Sequence, residues 1–93
     1  MAIKSLGDSL QDLFKNLGLD KKVGEYRLLG SWSDIVGSEI AQVTSAERID
    51  NLILFVRVQS GPWRNELIMR KGDILRKIRQ EFGNQIINDI RFF

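Results

Sequence analysis

Between Leu52 and Phe82 the spacing of the apolar residues changes period, and this constrains the fold more than any other feature of the chain. Leu52, Leu54, Val56 and Val58 alternate with Ile53, Phe55, Arg57 and Gln59. Successive side chains of a strand point to opposite faces, so the first set predicts a core-facing row and the second an outward row. The outward row mixes apolar and polar residues, which suits a face that is partly covered or open to a partner. Past Ser60-Gly61-Pro62 the spacing becomes three-and-four. Trp63, Leu67, Ile74, Ile78 and Phe82, with Ile68 and Leu75 alongside, predict a helix running to Phe82. Pro62 fits its first turn, where a missing N–H forfeits no bond, Ser60 or Gly61 can cap it, and Gly83 ends it. Trp63 is the first rung of the buried stripe, which makes it packing rather than ligand contact. Glycine inside a helix costs about 1 kcal/mol against alanine. At Gly72, then, either the backbone closely approaches something or the helix tolerates the defect. Glu66 with Arg70, and Asp73 with Lys77, have the i,i+4 spacing of a solvated outer face.

Leu6, Leu10, Leu13, Phe14 and Leu17 predict one side of a first helix, ended by Gly18 with Leu19 folding back onto its last turn. Asp20 reads as the N-cap of a second helix. Its apolar surface combines Val23, Tyr26 and Leu29 with Leu28, Trp32, Ile35 and Val36. Gly37 stops or kinks that helix, and Ser38 to Ala41 add a turn. Thr44 to Ile49 reads as an edge strand, Asp50-Asn51 as a hairpin turn, and Ile86 to Phe93 as a last strand. That strand would set Ile86, Ile90 and Phe92 against Ile87, Asp89, Arg91 and Phe93. The order α-α-β-β-α-β implies an α+β fold of two layers, with helices on one face of a three-stranded mixed sheet. A right-handed crossover follows if the second and third strands are parallel. Phe55, Arg57, Arg91 and Phe93 would then share the opposite face.

A chain of 93 residues has room for one domain, 1–93, with residues 1–19 as a peripheral N-terminal helix. No apolar run approaches the roughly 18 residues of a membrane span, and the first residues lack the pattern of a secretory signal, so no membrane and a cytoplasmic home are expected. Histidine and cysteine are absent. That removes nucleophile–base pairs of the Ser-His or Cys-His kind and ordinary zinc sites. The eight glycines are dispersed, without a phosphate-loop pattern. Neither metal nor cofactor nor catalytic residues are expected. Net charge is +2, but residues 57–93 hold eight Lys/Arg against four Asp/Glu, whereas residues 1–56 hold six against eight. The basic C-terminal part suits an acidic partner, nucleic acid or protein.

Two motifs carry a resemblance. Trp32-x-x-Ile35-Val36-Gly37 followed by Ile40-Ala41, and Leu54-x-Val56-x-Val58-x-Ser60-x-x-Trp63-x-x-Glu66-Leu67, resemble the DciA-like family over nearly the whole chain. Ile90-Arg91-Phe92 fits that family's last strand. The resemblance implies a KH-like fold and a non-enzymatic DNA-replication accessory role, the loading or recruitment of the replicative DNA helicase, with some affinity for DNA. Val43-Thr44 and Ala46 stand where members often have His-Thr and a proline, a local departure. Members commonly carry flexible sequence beyond the domain, and its contribution is expected to be absent or supplied otherwise. Gly-x-x-Gly, the loop by which KH domains clamp a nucleic-acid backbone, is missing.

Two readings of function follow. One is a protein-interaction module for the helicase. The other is a binder of single-stranded or duplex DNA. It would use Phe55, Arg57, Arg91 and Phe93 on the sheet, or Arg70, Arg76, Lys77 and Arg79 on the long helix. Against the second stand blander assignments. The sheet aromatics could pack beneath the first helix or form a homodimer seam, and the helix cations could be a solvated face.

Overall fold

The computed structural model describes residues 6–93. Its elements are α1 (Leu6–Asn16), α2 (Asp20–Gly30), α3 (Trp32–Val36), α4 (Ser38–Val43), β1 (Thr44–Asp50), β2 (Ile53–Val58), α5 (Gly61–Phe82) and β3 (Asp89–Phe92). The sheet has the order β1-β2-β3, with β1 antiparallel and β3 parallel to the central β2. This is the two-layer α+β architecture expected, with the short α3 and α4 following α2 in the chain before β1.

The period switch reads as predicted. Leu54, Val56 and Val58 are buried, and Ile90 and Phe92 join them from β3. Over this face pack α2 and α4 against β1, and α5 against β2 and β3. Ser60, extended at φ −140° and ψ 154°, caps α5 by accepting the Trp63 N–H at 3.4 Å, and Pro62 sits in the first turn. Leu67, Ile74 and Ile78 face the sheet, flanked by the partly buried Trp63, Leu75 and Phe82. Ile68 is 51% exposed, contrary to its predicted place beside the stripe, because it lies a further 100° round the helix from Leu67. A Cβ at Gly72 would meet nothing within 4 Å. The helix tolerates this glycine, and no close approach requires it.

Other boundaries differ from expectation. Leu19, not Asp20, holds the N-cap of α2, and no side chain caps it. Asp20 instead lies in the first turn, where its charge still complements the helix dipole. The second helix breaks at Ser31, whose N–H returns to the carbonyls of Arg27 and Leu28. The break turns Trp32 and Ile35 into the core, each 5% exposed. Tyr26 is 72% exposed, because the inward face of α2 is the i,i+4 pair Gly24 and Leu28 rather than the Val23–Tyr26 stripe. At Gly24 an added Cβ would stand 3.2 Å from Ile86 Cδ1, so this glycine lets the helix come close.

The hairpin loop is Asn51-Leu52, one residue later than predicted, with Asp50 paired to Ile53 across it. Both loop residues have positive φ, 52° and 64°, as the right-handed twist of the flanking strands demands of a two-residue turn. Leu52 is thus a turn residue, and its carbonyl accepts the Asn88 N–H at 2.6 Å. The last strand starts at Asp89, three residues later than read. Ile86 and Ile87 precede it and are both buried, so they do not alternate. In α1 the Leu6 and Phe14 side chains lie outside the described residues, while Leu10, Leu13 and Leu17 are 45%, 50% and 61% exposed.

Candidate interaction surfaces

The outward face of the sheet assembles a cluster from all three strands. Alternation in β2 turns Phe55 and Arg57 away from the core. Parallel pairing sets Arg91 beside Phe55 and carries Phe93 to the Arg57 end of the sheet. The two rings meet edge-on at 71°, with centroids 6.4 Å apart. Guanidinium groups cover them: Arg57 stands 4.8 Å above Phe93 and Arg91 5.9 Å from Phe55. The structure therefore brings all four predicted sheet residues together.

It also adds two that sequence reasoning missed. Between Ala46 and Arg48 the register of β1 slips by a residue, the signature of a β-bulge. Strict alternation would send Arg48 inward with Thr44 and Ala46. The extra residue instead leaves both Glu47 and Arg48 exposed on the outward face. Arg48 lies 4.1 Å above Phe55. Glu47 takes the fork of Arg57, Nε to Oε1 at 2.6 Å and Nη2 to Oε2 at 3.5 Å. That hydrogen bond, with the charges of Arg57 and Arg48, holds the Glu47 carboxyl below its usual range and raises Arg57. At the β3 edge, Lys71 Nζ reaches Asp89 Oδ1 at 3.0 Å. The Lys71 hydrogen bond, helped by the Ile90 N–H and the charges of Lys71 and Arg91, lowers the Asp89 pKa. The arrangement can present two aromatic rings and three guanidinium groups, the equipment for stacking a base while holding a phosphate.

The predicted helix cations occupy the other layer. Arg70 is tied to Glu66 at 2.8 Å, as its spacing suggested. Asp73 pairs with Arg76 at 3.2 Å, an i,i+3 contact replacing the expected partner Lys77. Lys77 is exposed and has no ion pair among the described residues. Arg79 is partly buried, and its Nη2 donates to the Asn88 carbonyl at 3.3 Å, tying α5 to the approach to β3. No group of three potential metal ligands occurs among the described residues. None of their helices is long and apolar enough to cross a membrane.

Motif residues serve the fold. Trp32 is buried and Leu67 fully so, and Trp63 packs partly buried against the core. Pro62, Glu66 and Arg70 line a shallow hollow beside Trp63. Gly37, at φ 88°, separates α3 from α4 in a conformation that glycine alone adopts freely.

Comparison with known proteins places the chain. The family model described as "Dna[CI] antecedent, DciA" matches residues 5–92. A UPF0232 protein of Corynebacterium glutamicum (strain R) is 32% identical over 90 residues, covering 97% of this chain and 51% of the relative. A UPF0232 protein of Mycobacterium ulcerans (strain Agy99) is 30% identical over 86 residues, covering 92% and 46%. The chain thus spans about half the length of the curated relatives it matches. With a match across nearly its whole length, the chain belongs to the DciA family.

Proposed function

We propose that this chain acts by binding and not by catalysis, as a DNA-replication accessory that engages the replicative DNA helicase through protein–protein contact in the cytoplasm. The observation that carries this reading is the family match over residues 5–92. An apolar row at the N-terminal end of the chain supports this reading. Leu10 and Leu13 on α1 and Leu17 in the turn that follows it, spaced i, i+3 and i+7, stand about half exposed, and α1 packs against α2. This is the pattern with which one helix enters an apolar groove of another protein. The test is capture of the helicase of the same organism by the purified chain, with and without nucleotide. The wild type should retain it, and a Leu10→Ser, Leu13→Ser, Leu17→Ser variant should lose most of the signal. No capture by the wild type under either condition removes the reading.

A second reading rests on a separate observation, the Arg48, Arg57 and Arg91 ring around Phe55 and Phe93. This face fits single-stranded nucleic acid: every unpaired base offers a π-face to the rings, and phosphates meet the guanidinium groups. Salt-dependent binding to an oligonucleotide, weakened by Phe93→Ala, is the expected result. Binding that ignores salt excludes it.

A further inference from the structure

The sheet face contains a carboxylate where an anionic ligand would sit. We propose that Glu47 is an internal counter-ion occupying a phosphate seat formed by Arg57 over Phe93, so that a phosphodiester enters this face by exchanging with Glu47. The proposal rests on the second reading above, single-stranded nucleic acid on the open sheet.

Three observations support it. First, alternation turns Glu47 outward with Ser45, and the register slip between Ala46 and Arg48 adds Arg48 beside it, so the carboxylate and a second cation stand together on the face. Second, it engages Arg57 with both oxygens, at 2.6 and 3.5 Å, using the fork geometry in which a guanidinium receives two phosphate oxygens. Third, the pair is open to solvent. The Arg57 side chain is 61% exposed and that of Glu47 31%, so the contact is held weakly enough to exchange. Arg57 also rests over the Phe93 ring, a contact that does not depend on the carboxylate. When Glu47 swings away, the guanidinium keeps its place above the ring. Arg48 and Arg91, which have no carboxylate within ion-pair distance among the described residues, border the same rings and supply attraction before the exchange.

The experiment is fluorescence anisotropy of a labelled 20-nucleotide oligothymidylate with the full chain, in six forms: wild type, Glu47→Gln, Arg57→Ala, the Glu47→Gln/Arg57→Ala double variant, Asp50→Asn and Phe93→Ala. Glu47→Gln should bind about two- to fivefold tighter than wild type, the range expected for freeing a cation from one exposed ion pair. The gain should vanish in the Arg57→Ala background and exceed that of Asp50→Asn, which removes a carboxylate from the far end of the same strand. A gain that persists without Arg57, or that Asp50→Asn matches, is general charge attraction and overturns the proposal. Phe93→Ala distinguishes the two levels. If it weakens binding while Glu47→Gln leaves it unchanged, the face binds nucleic acid but the counter-ion role is wrong. If wild type and Phe93→Ala bind equally, or neither binds, the nucleic-acid reading of this face fails and the proposal with it.

Discussion

The indole N–H of Trp32 donates to the Thr44 hydroxyl at 2.9 Å, and that hydroxyl donates in turn to the Ile40 carbonyl at 2.8 Å. One side chain at the first residue of β1 thereby satisfies a buried indole and a helix C-terminal carbonyl, and links α3, α4 and the sheet. Thr44→Val keeps the shape and removes both bonds. Leaving the Trp32 N–H unpaired in the core should cost about 1–3 kcal/mol, lowering the melting temperature by roughly 4–8 °C per kcal/mol in a domain of this size. Thr44→Ser should recover most of the loss in a thermal melt followed by circular dichroism. A Thr44→Val melt equal to wild type would show that the chain of bonds carries no stability.

Two glycines in helices should respond with opposite sign. Gly72 has open space where a Cβ would stand and helical backbone around it, so Gly72→Ala should stabilise by about 0.5–1 kcal/mol. At Gly24 the same change presses a methyl group 3.2 Å from Ile86 Cδ1. Ile86 is buried, and displacing it disturbs the packing of α2 on the loop before β3, so Gly24→Ala should destabilise. Chemical denaturation of the two variants side by side decides the matter. Two gains would mean that Ile86 yields freely.

Lys71 and Asp89 make stability depend on acid. The folded state holds the Asp89 pKa below its unfolded value. The pair's contribution is therefore fully present above the unfolded value, and it is lost as pH falls below about 4 and through the folded value. Both side chains are more than a third exposed, which keeps the contribution small. Asp89→Asn should lower the melting temperature slightly at pH 7, and the difference from wild type should shrink as pH falls below about 4. Curves that stay parallel across that range would mean that the carboxylate does not act through its charge.

The central strand, the long helix and the element order were legible in the sequence because each follows from one local period. Leu54, Val56 and Val58 repeat every second residue, and Leu67, Ile74 and Ile78 fall on one arc of a helix. The break at Ser31 was not legible: Val23 through Val36 read as one broad apolar surface, and only the core decides that Trp32 must turn inward there. The turn at Asn51-Leu52 was misplaced by one residue for a related reason. A leucine with positive φ violates local preference and persists because strand pairing and the Asn88 N–H hold it. Of the sheet cluster, Phe55, Arg57, Arg91 and Phe93 follow from alternation in two strands. Glu47 would follow from alternation in β1, but Arg48 beside it depends on a bulge, and one extra residue in β1 leaves no mark in composition or period.

The separation of the two cationic surfaces gives the last test. Arg91 lies on the open sheet face, whereas Lys77 lies on α5 in the layer packed against the opposite face. Each phosphate contact on a single strand contributes about 0.7 to the slope of log affinity against log salt. If the sheet face is the nucleic-acid surface, Arg91→Ala should weaken binding to an oligothymidylate and reduce that slope by about one contact's worth. Lys77→Ala changes the net charge by the same amount, so it controls for general attraction, and its slope should match wild type. The reverse pattern, with Lys77 governing the slope, would transfer the binding surface to α5 and leave the aromatic–arginine cluster as packing.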